Sequence, residues 1–560
     1  MIVEKNVVIP VSDGHRLRAN IYRPAQDGPY PVLMSLGIYG KDIHFADGYE
    51  LPWKKLQTLN PAIIDDGSSG RYLRWEMIDP ERWVPDGYVV IAVDGRGSGQ
   101  SPGYLDPFSP RETQDYYDAI EWAAVQPWSS GKVGLIGISY LSIKQWQVAA
   151  LQPPHLAAIC PWEGGSDLYR DWSHHGGIFS NSFPTAWWPR QVLPNQHGNA
   201  ATRHRDRDTG ETTTGAALSD DLLRANRADH AGDLLQHPLD DAWFRQRSPD
   251  LGRVQVPLFS AGNWGGCGLH LRGNVEGFCR AGSGLKWLDM HIGTHFESFY
   301  LPAYIDRQKR FFAYFLKGEA NGWDREPTIR LEIRSPDGAV ARNEAEWPLA
   351  RTDWQRHYLD AAAQSLSTDA PAAAASSNFA AMSDGATFLT RPFDQATEFT
   401  GPVTARLWIA SSTPDADIFA TLRLFRPDGR EVVFAGASDT EPVARGWLRA
   451  SHRKLDAAMS TPVRPYHSHD QIQKLEPGQP YLLDVEIWPT SIVCPPGYRL
   501  ALTLQGRDYE APGVSGRILH DHERDRPRAE FDGRTTILTG PGHESYLLLP
   551  HIPSQSGATP

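Results

Sequence analysis

The chain has little cysteine: four residues in 560, at positions 160, 267, 279 and 494, none in a C-x-x-C pair. Thiols so few and so far apart exclude a disulfide framework and a cysteine-rich zinc site, so reduced cysteines are expected. Long apolar runs are also missing, and no stretch approaches the roughly 18 residues of a membrane span. The N-terminus, Met1-Ile2-Val3-Glu4-Lys5-Asn6, starts directly in a strand-like pattern, without the basic and apolar regions of a signal peptide. Cytoplasmic residence is therefore the expectation. Positive charge is scarce as well. Lys and Arg number 55 against 67 Asp and Glu, the formal net charge is −12, and the basic residues are scattered. That excludes nucleic acid as a partner, because phosphate binding needs a basic face. No cluster of histidines or carboxylates has metal-ligand spacing, and neither metal nor cofactor is expected.

What is present is ordinary globular composition, 40% hydrophobic and 11% aromatic, over a length too great for one core. Up to about residue 160, strands alternate with helices. Val7 to Pro10 and Leu17 to Tyr22 read as edge strands around the turn Asp13-Gly14. Pro31 to Ser35 and Tyr88 to Val93 are short apolar runs of the kind that form buried parallel strands. Glu112 to Gln126 has helical apolar spacing. From Trp162 to Pro249 the pattern turns irregular, with a helix expected over Asp220 to Leu235 behind the N-cap Ser219. An inserted, largely helical cap fits this stretch. The α/β pattern resumes at Val254 to Ala261 and runs to a helix at Ile305 to Leu316. Beyond Gly318 strict alternation takes over, as in Val403, Ala405, Leu407 and Ile409, or Leu483, Val485 and Ile487. Period two with Pro/Gly turns is the mark of an antiparallel β-sandwich. Ala361 to Ser377 reads as an exposed loop. The predicted architecture is an α/β core over 1–161 and 251–320, a cap over 162–250 and a β-sandwich over 321–560.

The stretch carrying chemistry is Val133 to Ser142, a short buried strand, a glycine turn with one serine, and the start of a helix. A serine on such an elbow is exposed, with the next backbone amide free to face an oxyanion. The match to G-x-S-x-G is imperfect, because Leu141 stands where the last glycine belongs. Ser139 is the candidate nucleophile; an ordinary turn serine is the alternative. A serine hydroxyl needs a base, and His270, His291 and His295 occupy the later α/β segment. His295 is preferred because it lies deeper in the loop after the strand Leu285 to Met290, within reach of the elbow.

Many short stretches match one known family, in its order and over nearly the whole chain. They are Asp13-Gly14-His15-Arg16-Leu17, Tyr39-Gly40-Lys41, Gly87-Tyr88-Val89-Val90, Asp94-Gly95-Arg96-Gly97, Glu121-Trp122 and Gln126-Pro127-Trp128. Gly137-Ile138-Ser139-Tyr140, Phe315-Leu316-Lys317-Gly318 and Gly446-Trp447-Leu448-Arg449-Ala450-Ser451 complete the set. The chain resembles the cocaine esterase and X-prolyl dipeptidyl-peptidase family of serine hydrolases. The resemblance implies an α/β-hydrolase core with a helical cap and a C-terminal jelly roll, in agreement with the pattern above. It places the nucleophile on Ser139 and the base on His295. The oxyanion hole would be the Tyr140 amide and the hydroxyl of Tyr39, the tyrosine of the family's P-Y-x-K segment.

This sequence departs from the family in two places. Ser142 replaces a glycine three residues after the nucleophile, a small change. The aspartate of the family's G-W-x-D loop has no counterpart, since Ala261 to Cys267 contains no carboxylate. A histidine base needs a partner that fixes its tautomer. Glu163, just past the strand Leu156 to Pro161, is the candidate acid, at the edge of the sheet one strand nearer the nucleophile. Asn263, Asp289 and Glu297 remain alternatives, as does an ion-pair role for Glu163. Asp94, Arg96 and Ser101 read as a structural turn. Asp167 and Asp171 read as capping and ion-pair groups, with an amine-binding role as the alternative. Trp162, Trp172, Trp187 and Trp188 are candidates for an apolar substrate pocket, Trp162 and Trp172 foremost, against core packing for each.

The expected reaction is hydrolysis of a carboxylic ester through an acyl-enzyme. The alternatives are an X-Pro dipeptidyl-peptidase or aminoacyl amidase, and an inactive scaffold whose β-sandwich binds carbohydrate. The expected partner is a small-molecule ester or amide, with no nucleic acid, no membrane, and a homodimer left open.

Overall fold

Short strands apolar on both faces need a layer on each side, and the first half of the chain provides it. The computed structural model describes residues 1–64, 67–510 and 518–553. Ten strands form its first sheet. They are β1 (Ile2–Pro10), β2 (Arg16–Arg23), β3 (Tyr30–Gly37), β4 (Val89–Asp94) and β5 (Ser129–Ile138). Then follow β6 (Leu156–Trp162), β7 (Leu258–Asn263), β8 (Lys286–His291), β9 (Ile329–Ser335) and β10 (Gly338–Glu344). The order is β1-β2-β4-β3-β5-β6-β7-β8-β9-β10. From β4 to β9 the neighbours are parallel, while β1, β2 and β10 are antiparallel edges. Alternate residues enter two cores, Val89, Ile91 and Val93 one and Val90 the other. The helices Pro110–Ala124, Tyr140–Ala149 and Leu271–Arg280 pack against these strands. In an open sheet of this kind a site forms beyond the carboxyl ends of the strands.

Four expectations need correction. The sheet does not end near residue 320, because β9 and β10 complete it. Leu288 to Met290 pair in parallel with Ile329 to Leu331, and the indole of Trp264 donates to Glu332 O at 2.8 Å. An antiparallel hairpin at the edge of a parallel sheet has the same alternation as a sandwich strand, which is why the two were merged. The helix expected over Asp220 to Leu235 is two helices, Asp220–Ala225 capped by Ser219 and His230–Gln236 capped by Asp229. The break lets Ala228 N–H reach Leu105 O at 2.9 Å, which ties the cap to the core.

The cap holds fewer regular helices than expected. Leu168–Ser173 and Phe183–Val192 are wound more widely than an α-helix. The C-terminal domain is the expected β-sandwich. Thr397–Ser411 pairs antiparallel with Pro480–Cys494, and Asp417–Phe425 with Ala444–Arg449 and Arg499–Gln505. The inward residues of these alternating strands, such as Leu407, Ile409, Val485 and Ile487, form one core. The supposed loop Ala361 to Ser377 contains the strand Ser365–Ser367 and the start of Ala375–Ala380, which pairs with Arg534–Thr539. The domains meet at the loop after β7, where Ala437 N–H donates to Gly265 O at 2.9 Å. Among the described residues no helix is long and apolar enough to cross a membrane.

Candidate active site

The chain passes from β5 into the helix Tyr140–Ala149 through a single residue, Ser139, with φ 58° and ψ −117°. This left-handed conformation is uncommon for a residue with a Cβ and persists only where the surroundings enforce it. They do. Ile138 N–H donates to Glu76 O at 3.1 Å, and Ser139 N–H reaches the carbonyls of Trp162 and Glu163, each at 3.0 Å. The elbow is therefore sewn to β6 and to the segment before β4. The missing last glycine has a packing explanation. Leu141 lays its side chain over Gly37 and Gly137, where a Cβ would collide with it. Ser142 likewise packs its hydroxyl against Gly164, which has no side chain to obstruct it. The Tyr140 amide opens the helix, where backbone N–H groups lack intrahelical partners and the helix dipole favours negative charge.

Around the serine stand two histidines and two glutamates. Ser139 Oγ lies 3.2 Å from His270 Nε2, and Tyr39 and Glu76 line the same cavity. The His270 and His295 rings stack with centroids 5.1 Å apart. His295 Nδ1 meets Glu163 Oε2 at 2.8 Å, and its Nε2 meets Glu76 Oε1 at 3.2 Å. Burial alone would strip His295 of its charge, but Glu163 and Glu76 outweigh it and carry its pKa up to about 10. Burial, reinforced by the neighbouring His295, holds His270 well below the usual histidine range, so it is neutral.

Glu163 follows β6 in a left-handed conformation, φ 43°. Its N–H donates to Ala261 O at 2.7 Å, so both β5 and β7 fix it. The other carboxylate oxygen faces Asn263 Nδ2 at 3.4 Å and His291 Nε2 at 3.5 Å. Asn263 thus contacts Glu163 rather than His295, and spends its stronger bond on Gly293 O at 2.8 Å. Asp289 is held by Arg307 through bonds of 2.9 and 3.0 Å. Glu297 accepts from Thr294 N–H at 3.2 Å. Of the four candidate acids, the structure brings Glu163 to the imidazole.

Tyr39 points its hydroxyl into the same space and accepts a 3.0 Å hydrogen bond from the Trp187 indole. Burial, with Glu76 and Tyr49 nearby, raises its pKa well above the usual tyrosine value, so it keeps its proton and can donate. The cavity above Ser139 has a volume of about 370 Å³ and is walled by Trp75, Phe108, Trp172, Phe183 and Trp187. Gly436 to Asp439 of the β-sandwich close one side of its mouth.

Trp172 and Trp187 line the cavity, as the sequence suggested. Trp162 does not: its ring packs in the core against Phe259, Phe299 and Tyr304, with the indole donating to Ser298 Oγ at 3.2 Å. It also stacks on His291, with ring centroids 5.6 Å apart, and so lies behind the Glu163 carboxylate rather than at the cavity. Asp167 caps Leu168–Ser173 and pairs with Arg170, while Asp171 pairs with Arg272. Asp94 anchors its turn by accepting from the amides of Lys41 and Gln100, each at 2.8 Å. His270 is one of three histidines that the pattern offers as a base, and no pattern marks Glu76, which lies in an irregular segment at φ 63°.

The model of X-Pro dipeptidyl-peptidase (S15 family) matches residues 13–297, and that of the X-Pro dipeptidyl-peptidase C-terminal non-catalytic domain matches residues 321–548. The chain belongs to the S15 peptidase family. Among its relatives, a cocaine esterase of Rhodococcus sp. (strain MB1 Bresler) is 25% identical, covering 98% of each chain. A putative Xaa-Pro dipeptidyl-peptidase of Streptomyces avermitilis is 24% identical over 84% of this chain and 75% of its own. The crystal structure of a CocE/NonD family hydrolase from Staphylococcus aureus is 32% identical, with a TM-score of 0.84 over 99% of this chain and 94% of that one. An α-amino acid ester hydrolase, 17% identical with a TM-score of 0.68, shares the fold over 98% of this chain and 96% of its own. This S15 member is a serine hydrolase with an α/β-hydrolase core and a C-terminal β-sandwich.

Proposed function

We propose that this S15-family chain hydrolyses carboxylic esters through an acyl-enzyme on Ser139. The observation that carries the reading is the Glu163 carboxylate 2.8 Å from His295 Nδ1, beside a serine held on a strained elbow. Ser139 Oγ attacks the ester carbonyl, its proton passes to His295, and the oxyanion is met by the Tyr140 amide and the Tyr39 hydroxyl. The tetrahedral adduct collapses, His295 protonates the leaving alcohol, and water repeats the sequence to release the acid. His295 suits the role of base better than His270, because the imidazolium that forms needs a carboxylate at its far nitrogen. His270 Nδ1 is buried with no hydrogen-bond partner, so a cation there would be unsupported.

The aromatic walls favour an apolar or aromatic group on the substrate. Ester rather than peptide cleavage is favoured because Asp167 and Asp171, the acidic pair at the start of the cap, are neutralised by Arg170 and Arg272. Neither of the two is then free to bind a peptide N-terminus. The family's dipeptidyl-peptidase name supports X-Pro cleavage as the second reading. Labelling with a fluorophosphonate and turnover of p-nitrophenyl acyl esters against Xaa-Pro anilides separate these readings. Labelling lost in Ser139→Ala, with esters the better substrates, is the expected result. Faster anilide turnover would make the chain a peptidase, and an unlabelled wild type would make it an inactive scaffold.

A further inference from the structure

The Glu76 carboxyl occupies the nitrogen of His295 that the serine proton must reach, and it is built into that position. Its backbone carbonyl accepts the Ile138 N–H at the last residue before the nucleophile, and its φ of 63° is a conformation that L-residues avoid. Oε1 stands 3.2 Å from His295 Nε2. Oε2 is buried and has no hydrogen-bond partner. A carboxylate with one bare oxygen out of water is costly, and a proton on or near it relieves the cost. The rings of Tyr39, Tyr49 and Tyr300 carry groups that feel the Glu76 charge, and Trp75, which lines the cavity beside Glu76, is backed by Tyr49 stacked 4.1 Å away.

We propose that Glu76 and His295 share one proton across the Oε1···Nε2 contact, so that the acid–base unit of this hydrolase is Glu163–His295–Glu76 rather than a lone imidazole. This rests on the acyl-enzyme reading above. At rest the Nε2 proton lies between the imidazole and Glu76. For attack it passes to Glu76 Oε1, which becomes the neutral acid, and the freed Nε2 lone pair takes the Ser139 hydroxyl proton as Oγ bonds to the ester carbon. Nε2 then gives that proton to the departing alcohol as the ester C–O bond breaks, and the Glu76 proton returns. Charge and protons balance without a further reactant. Burial raises the Glu76 pKa, which assists the transfer.

The pH dependence has a definite sign. The charged and titratable groups facing His295 are Glu163 after β6, Glu76 before β4 and His270 at the start of Leu271–Arg280, with Tyr39 beyond Glu76. Two carboxylates favour the imidazolium, so with no internal acceptor Nε2 would be freed only at a pH above the ordinary histidine 6.5. With Glu76 taking the proton the singly protonated pair is already competent, and the wild-type acid limb is the uptake of a second proton by the pair. In Glu76→Gln the imidazole must instead lose its proton to solvent, so the acid limb of kcat/KM should move about one pH unit or more toward alkaline pH. An acid limb in the same place as in the wild type, or moved toward acid, would overturn the proposal.

Fluorophosphonate labelling of the variant above its limb shows that the nucleophile is intact, so failure of this proposal stays separate from failure of the acyl-enzyme reading. If Glu76→Gln does not fold, ¹⁵N NMR of the His295 ring in the wild-type protein decides. Both ring nitrogens protonated at pH 7.5 supports proton sharing, and a neutral ring there overturns it.

Discussion

Two turns at the carboxyl edge of the sheet both depart from the family pattern, and they absorb the departure differently. At the Ser139 elbow the missing glycines are replaced by side chains that fit spaces left by other glycines. Leu141 lies over Gly37 and Ser142 against Gly164, and the serine keeps its geometry. In the loop after β7 no local replacement is available. That loop is clamped to the β-sandwich by the bond from Ala437 N–H to Gly265 O, and at Gly266, two residues after Trp264, a Cβ would come within 3.1 Å of Asn263 O. The carboxylate that stands beside His295 is instead Glu163, one residue past the adjacent strand β6. A geometric requirement can be met by repacking where it arises. A charge needs a backbone position with room for its side chain, and here the neighbouring strand supplies one.

The comparison sharpens if each turn is perturbed separately. Among changes that leave Ser139, His295 and Glu163 in place, the largest effect is expected of Tyr39→Phe. Loss of a donor aimed at the oxyanion costs about 3 kcal/mol, roughly a hundredfold in kcat with KM little changed. A drop in kcat/KM confined to KM would place Tyr39 in ground-state binding instead. Gly164→Ala should act on stability, because the added methyl collides with the Ser142 hydroxyl. Overpacking of this kind costs about 1–3 kcal/mol, seen as a lower midpoint of urea unfolding, and Ser142→Gly in the same chain should restore most of it. An additive double variant would break the account of how the elbow tolerates its missing glycine.

The parts legible in the sequence were those whose burial forces a pattern. The strands β3 to β8 are short and largely apolar because both their faces are covered, and the sandwich strands alternate because only one is. Ser139 and His295 stood at the ends of such runs, and Glu163 could be placed by its distance from β6. What escaped lay where no period operates. Glu76 sits in a loop at positive φ, and nothing in Trp75-Glu76-Met77 announces a carboxyl aimed at an imidazole. The cap resisted because Leu168–Ser173 and Phe183–Val192 wind more widely than 3.6 residues per turn. Trp162 was misplaced for a simpler reason. Its indole is taken up by the core, bonded to Ser298 and packed on Phe259, Phe299, Tyr304 and His291, behind the site rather than at the cavity.

The central claim is that the acid has moved to Glu163, and kcat of Glu163→Gln measured beside Asn263→Ala tests it most directly. Both side chains touch the same network, but only Glu163 carries the charge that holds His295 Nδ1–H. The account predicts a loss of roughly three to four orders of magnitude for Glu163→Gln, with the unfolding midpoint showing that the chain is folded. Asn263→Ala should lose far less. Near wild-type turnover in Glu163→Gln, or an equal loss in Asn263→Ala, would contradict it.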